Sequence, residues 1–447
     1  MKTKVAPVDE MLPKGQLFTY GLQHVLAMYA GAVAVPLIIA NALDLPPAQL
    51  IYLIQCDLVV AGIATLIQSL GVLNMGIQSP IMQGVSFAAV APMILVGKAH
   101  GLPGIFGGTI AAGIIGYFLS PYFSKLIRFF PKVVTGTIIT LIGVSLLPVA
   151  VRWAGGGNPA AADFADFPNI ALAFTVLALV IVLYRLLTGF WSNIAVLLGL
   201  VAGTLLAIPL GMADFSPVAA AAWFSAVTPL AFGMPVFDIT SIISMTLAFL
   251  VIMTETTGDI IAVGEIVDKP VTSDDLARGL RADSFSTLLG GIMNTFPHSA
   301  FAQNVGLLAL SGIKSRYVVV AAGLILAALG LFPKAAAVVA AIPSPVLGGA
   351  GLAMFGMVAT SGIRALAKVP FDGNHNAMIV AVSLGVGLIP LAAPGFYHKL
   401  PQFAQLILHS GITAGSVSAL ALNYFFNECG RKAADDAGLT ETTGHHC

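Results

Sequence analysis

The sequence predicts an all-helical polytopic membrane protein of about fourteen transmembrane spans, arranged as two inverted sets of seven. Three observations predict it. Of 447 residues, 58% are hydrophobic and 9% charged, with a mean hydropathy of +0.95, whereas a soluble domain carries roughly 25% charged residues. Packing into one or two soluble domains cannot hide that much apolar side chain, so lipid is the solvent for much of the surface. Apolar segments long enough to cross a bilayer also recur along the chain, and the basic residues gather on one side of them.

The segments follow in order. The first sixteen residues are polar and carry Lys2, Lys4 and Lys14. The apolar stretch behind them is full length and lacks a small-residue cleavage site, so it reads as a first span and not a signal peptide. Clear spans lie near 17–41, 49–72, 103–121, 130–152, 169–188, 191–211, 238–263, 316–335, 346–367, 376–393 and 403–426, each long enough for the hydrocarbon core. Three shorter, more polar segments near 80–97, 280–296 and 298–313 complete the fourteen.

Orientation tests that count. One face collects Lys2, Lys4, Lys14, Lys125, Arg128, Lys132, Arg185, Lys269, Arg278, Arg281, Lys314, Arg316, Arg364, Lys368, Arg431 and Lys432. The other receives Lys98, Arg152, Lys334 and Lys399. This bias is the positive-inside rule with both termini cytoplasmic, and dropping one span destroys it. Net charge is zero, which leaves no argument for nucleic acid. Cys56, Cys429 and Cys447 are odd in number and far apart, with neither a disulfide framework nor metal-ligand spacing. The terminal His445-His446-Cys447 reads as an exposed tail.

Two features point to a repeat. Pro131-Lys132-Val133-Val134-Thr135-Gly136 opens the fifth span and Pro343-Ser344-Pro345-Val346-Leu347-Gly348 the twelfth, with Pro, Val and Gly at equal offsets. Seven spans apart, the two halves are inverted in the membrane. At the same offset stand the two short polar spans, the third around Gln78-Ser79-Pro80 to Ala88 and the tenth around Asn294-Thr295-Phe296-Pro297-His298 to Gly306. Short, Gly/Pro-interrupted segments in corresponding positions point to a mid-membrane binding site; the alternative is a pair of re-entrant loops.

Ionisable groups inside spans each ask for a reason, because they cost at least about 2.5–3.5 kcal/mol at the bilayer centre. His24 lies in the first span, Glu255 and Asp259 in the eighth, Asp283 in the ninth, and Gln303 and Asn304 in the tenth. Glu255 and Asp259, four apart, share a helix face, and one proton held by such a pair costs less than two buried charges. His24 reads either as a helix-bridging hydrogen-bonder or as a site residue. Asp57 reads as an interfacial or packing residue. Asp283 follows Arg278 and Arg281, so a structural ion pair competes with a coupling role. Glu255 has no Lys or Arg within ten residues, which makes it a functional candidate by default.

Gln303-Asn304-Val305-Gly306 through Ser311-Gly312 resembles the signature of the nucleobase–ascorbate transporter family, Gln/Glu-Asn-x-Gly, four residues, Thr, then Arg, Lys or Gly. Ser311 replaces the usual Thr and keeps the hydroxyl. Gln23-His24, Gly84-Val85-Ser86-Phe87 and Glu255-x-x-Gly258-Asp259 match as well. The wording of the first span most resembles bacterial uric acid and xanthine permeases.

The resemblance implies a core domain over 17–121 and 238–335, a gate domain over 130–211 and 346–426, and a cytoplasmic tail over 427–447. Spans 3 and 10 would each contain a short strand with the substrate between them. Glu255 would accept N–H groups of a purine base, Gln303 would pair with its carbonyl and ring-nitrogen edge, and Phe87 would lie against its plane. Ser86, His24 and Asn304 would complete the substrate site, with Asp259 and Asp283 supporting it or coupling protons. A first signature residue of Gln, not Glu, implies a purine of the xanthine and urate type over uracil.

The expected function is import of uric acid or xanthine by proton symport across a bacterial inner membrane. Uracil or another nucleobase is the alternative substrate, and sodium the alternative ion. Expected partners are the purine, a proton, the lipid bilayer and a second copy of the chain as a homodimer, with no nucleic acid, cofactor or metal. Rival readings are a sulfate or bicarbonate carrier of similar fold, which usually has a large C-terminal domain, and an intramembrane enzyme, for which H-E-x-x-H, G-x-S-x-G and phosphate-loop patterns are lacking.

Overall fold

The computed structural model describes residues 6–126, 130–372, 374–401, 404–405, 408 and 410–428. Cys429, Cys447 and all but the start of the tail expected over 427–447 lie outside the described residues. In the first half, α1 (Lys14–Ala42) and α2 (Pro47–Leu70) lead to β1 (Gln83–Val85), a 3-10 turn (Phe87–Ala89) and α3 (Val90–Leu126). α4 (Lys132–Ala154), α5 (Phe167–Leu186), a short α6 (Phe190–Asn193), α7 (Ala195–Ala207) and α8 (Ser216–Ala220) follow. The second half comprises α9 (Ile239–Ile266), α10 (Ser273–Ile292), β2 (His298–Ala300), α11 (Ala302–Ser311), α12 (Arg316–Gly330), α13 (Pro333–Ala340), α14 (Ser344–Leu366), α15 (Asn376–Ala392) and α16 (Gly411–Asn423).

Among the described residues seven helices are long and apolar enough to cross a membrane, or eight if the pair α12–α13, bent by 81°, is one broken span. The segments expected near 80–97 and 103–121 run together in α3, which breaks at Gly101 (φ 65°, ψ −168°). That conformation is essentially restricted to glycine, and Pro103 just beyond it removes a further helical N–H. The segment expected over 191–211 divides at Ile194 into α6 and α7.

The proline pair marks equivalent helix starts. Pro131 O accepts from Val134 N at 2.9 Å and Thr135 N at 3.1 Å, and Pro343 O accepts from Val346 N at 3.0 Å and Leu347 N at 3.1 Å. In both, proline occupies the helix entrance, where its missing N–H costs nothing. α9 starts at Asp238, whose side chain caps Ser241 N, and α10 starts with a Thr272–Asp275 capping box.

The chain divides into two compact units. The first joins the residues up to Ser124 with Leu146–Met357. Within it α2 packs along α12, closely enough that a Cβ on Gly62 would stand 2.5 Å from Gly323 O. Such backbone contact is how helices associate where lipid supplies no hydrophobic drive. α5 turns Phe167, Phe174, Ile181 and Leu186 outward, a surface that suits hydrocarbon. The second unit joins Lys125–Ser145 with the residues from Val358 on. There α15 packs on α16, where a Cβ on Gly411 would stand 2.2 Å from Gly387 O.

Candidate functional site

β1 and β2 pair antiparallel, with Gln83 opposite Ala300, Gly84 opposite Ser299 and Val85 opposite His298. Ser86 N to Pro297 O (2.9 Å) and Phe301 N to Met82 O (3.0 Å) extend the ladder at both ends. All six strand residues are buried. A two-stranded ribbon surrounded by apolar helices has outward-facing N–H groups, and unpaired they would cost several kcal/mol each. Three threonines from three helices accept three of them. Gln83 N donates to Thr65 Oγ1 of α2 at 2.9 Å, His298 N to Thr287 Oγ1 of α10 at 3.1 Å, and Ala300 N to Thr256 Oγ1 of α9 at 3.1 Å.

Both strands turn directly into helix beginnings. Ser86 ends β1 and caps the 3-10 turn, accepting from Ala88 N at 3.2 Å. Phe301 ends β2 and precedes α11. Free N–H groups and a positive dipole end favour electron-rich or anionic groups there. The Phe301 ring fits because of two glycines: a Cβ on Gly84 would stand 2.6 Å from Phe301 Cε2, and one on Gly31 2.9 Å from Phe301 Cε1.

The residues singled out in the sequence fall in three groups. Glu255 of α9 and Ser86 meet, Ser86 Oγ donating to Glu255 Oε2 at 3.5 Å, with half-buried Phe87 beside Ser86. The Phe87 ring stands edge-on to Phe355, centroids 5.9 Å apart. His24 and Asn304 form the second group. Asn304 Nδ2 donates to His24 Nδ1 (3.1 Å) and to His24 O (2.9 Å), tying α11 to α1. Of the two readings open for His24, the helix-bridging one is visible in this contact. Gln303, next to Asn304, is exposed; its amide has no hydrogen-bond partner among the described residues and offers both a donor and an acceptor.

Asp283 makes the third group. It is fully buried, and Gln68 Nε2 of α2 donates to its Oδ1 at 3.2 Å; among the described residues no ion pair joins it to Arg278 or Arg281. Asp259 lies one turn beyond Glu255 on α9, half-buried. Of the two readings of Asp57, interfacial or packing, the packing one agrees with its burial: it is 1% exposed and accepts from Thr295 Oγ1 at 3.0 Å. Sequence reasoning missed Thr65, Thr256, Thr287, Phe301 and His298. His298 had a visible signal, an ionisable group inside a short polar span, whereas threonines in apolar helices carry none.

The sequence profile of the family described as "Permease family" matches residues 15–396. The uric acid transporter UacT of Escherichia coli (strain K12) is 46% identical over 94% of this chain and 88% of its own length. The nucleobase transporter PlUacP of Paenibacillus larvae is 44% identical over 97% of this chain and 99% of its own. The xanthine permease of Bacillus subtilis (strain 168) is 44% identical over 96% and 98%. Among solved structures, the transmembrane domain of the cyanobacterial bicarbonate transporter BicA superposes with a TM-score of 0.60 at 15% identity, covering 91% of this chain and 97% of that one. SLC26A9 superposes with a TM-score of 0.60 at 13% identity, covering 93% and 66%. At such identity the likeness shows the fold alone, that of the seven-plus-seven inverted-repeat transporters. With its paired strands, its signature at Gln303 and its full-length relatives, the chain is a multi-pass membrane protein and belongs to the nucleobase–ascorbate transporter family of permeases.

Proposed function

We propose that the protein imports a purine base of the uric acid and xanthine kind by proton symport across the inner membrane, with both termini cytoplasmic. The observation that carries the reading is the state of two polar groups flanking the paired strands. Among the described residues Glu255 is held by one long hydrogen bond, from Ser86, and the Gln303 amide has no hydrogen-bond partner. A carboxylate that accepts N–H and an amide that both donates and accepts match the edge of an oxopurine, and Phe87 offers a face for its π-system. The names of the relatives, uric acid transporter and xanthine permease, support the same substrate class. His24 and Asn304, tied to each other, set the position of Gln303.

Glu255 and Asp259 are the proton carriers in this reading, and Asp283 is a support that takes part in coupling. Two carboxylates a turn apart in a low-dielectric span are held most cheaply with one proton between them. The core segments 17–121 and 238–335 hold the substrate, the gate segments 130–211 and 346–426 change access to it, and the working unit is a homodimer. The fold likeness to anion carriers does not favour an anion substrate, since identity there is 11–15%.

Uptake of labelled urate tests the function. Xanthine is expected to compete, and uracil and ascorbate to fail. Uptake is expected to rise with an inward pH gradient, collapse with a protonophore and persist when choline replaces sodium. Loss of uptake on sodium removal, with little effect of the protonophore, overturns the coupling ion.

A further inference from the structure

Between α2 and β2 lies a titratable pair that the transport reading does not use. His298 and Asp57 are both buried, 0% and 1% exposed, with His298 Nε2 3.8 Å from Asp57 Oδ1. The hydrogen bonds around them fix the proton inventory. His298 Nδ1 is 2.8 Å from Phe296 O, and a carbonyl only accepts, so Nδ1 carries the hydrogen. In a neutral ring Nε2 is then a bare lone pair, and among the described residues it has no hydrogen-bond partner. Asp57 Oδ1 accepts from Thr295 Oγ1, and Oδ2 has no partner either among the described residues.

An ionised Asp57 would therefore set two acceptor-only faces against each other in an apolar interior, the costliest arrangement for buried polar groups. A gap of 3.8 Å leaves no room for a water in line, which needs about 5.5 Å for two hydrogen bonds. The other groups facing the pair supply no compensating charge. From the turn before β2 comes Thr295, bonded to Asp57, and from α10 comes Thr287, bonded to the His298 N–H; Cys56 is the chain neighbour of Asp57 on α2. Among the described residues His298 is the one ion-pair partner of Asp57.

We infer that Asp57 and His298 form a buried proton-binding site in which Asp57 holds a proton and presents it toward His298 Nε2, the lone-pair nitrogen 3.8 Å from its Oδ1. The pair is neutral in this state, which a low-dielectric interior favours over two separated charges. The proton is resident: it stays through the transport cycle and is distinct from any proton exchanged at Glu255 or Asp259. Asp57 and His298 are positioning residues, acting on the substrate through the register of β2 and the helix start at Ala302.

Infrared spectroscopy of the purified transporter at neutral pH tests the site directly. A protonated-carboxyl band is expected that disappears in Asp57→Asn and also in His298→Gln, whose amide would let Asp57 ionise. Asp57→Asn supplies an N–H in place of the O–H, so uptake is expected to stay within about twofold of wild type with an unchanged pH profile. Asp57→Leu leaves Nε2 unpartnered and is expected to lower the amount of transporter in the membrane about fivefold or more. An identical carboxyl spectrum in wild type and Asp57→Asn overturns the proton. A shifted uptake–pH profile in Asp57→Asn overturns its residence and makes the pair a coupling site. If Asp57→Asn fails to accumulate, His298→Gln carries the spectral test alone.

Discussion

The two strand-bearing arms have the same plan and opposite contents. The first arm, from β1 into α3, buries its amide: Gln83 is fully enclosed in the strand, and its N–H is spent on Thr65. It continues into a long helix, Val90–Leu126. The second arm leads into the ten-residue α11, carries buried His298 in its strand, and leaves Gln303 exposed. An inverted duplication thus conserves backbone geometry, because two short strands can satisfy each other only in one way, while side-chain chemistry diverges between the copies. One arm encloses its amide; the other leaves its amide exposed, where we propose it reads the substrate.

The largest expected effect lies where the first arm touches α9. Glu255→Gln should abolish uptake with normal abundance in the membrane, because the charged acceptor and a proton carrier go together. Wild-type rates in that variant would remove Glu255 from the site and leave its contact with Ser86 a packing detail.

The two arms can be set against each other through their threonines. Thr65→Val orphans the N–H of Gln83, and Thr256→Val that of Ala300, each costing about 1–3 kcal/mol. Thermal unfolding in detergent should show similar losses for both. Substrate affinity should fall more for Thr256→Val, whose strand leads to Gln303. Equal losses of affinity would mean that the arms position the substrate equally.

A smaller change is expected from the reading group itself. Gln303→Glu adds a second negative charge near Glu255 and exchanges a donor–acceptor for an acceptor. Inhibition constants for urate, an anion at neutral pH, should rise about tenfold more than those for neutral xanthine, roughly the effect of 1.4 kcal/mol in a low-dielectric pocket. Gln303→Ala should weaken both evenly. Parallel losses in Gln303→Glu would place its amide away from the charged edge of the ligand.

The smallest effect belongs to the start of the helix that carries Glu255. Hydrogen bonds from the Thr240 side chain and from Ser241 N hold the Asp238 carboxyl below its ordinary range. A depressed carboxyl lends stability above its unfolded pKa and loses it as pH falls through the folded one. Asp238→Ala should therefore cost about 0.5–1 kcal/mol at neutral pH and less in acid, read from unfolding midpoints, with transport kept.

Much of this was legible in the sequence wherever one residue violated its surroundings. Glu255 in an apolar run, two prolines at equal offsets and two short polar spans each break the pattern that lipid imposes. What stayed hidden depends on partners distant in sequence. Thr65, Thr256 and Thr287 look like ordinary polar residues of membrane helices until the strand edges they serve are in place. The two readings of Asp57 stayed open for a related reason: it lies in mid-helix of α2, Pro47–Leu70, against a histidine from the other half of the chain. The glycines at 31 and 84 matter only once Phe301 arrives between them.

That distance has a consequence for how the protein is made. β1 is synthesised and inserted long before β2, with almost half the chain between Val85 and His298. Until then its edge carries backbone groups that lipid cannot hydrogen-bond, so the first arm has to wait, shielded by the insertion machinery or by α2. The ribbon closes only after α11 has entered, as a late contact of high sequence separation. Chains stopped before Gly312 should accumulate with residues 78–90 open to protease, and protection should appear in one step once α11 is complete.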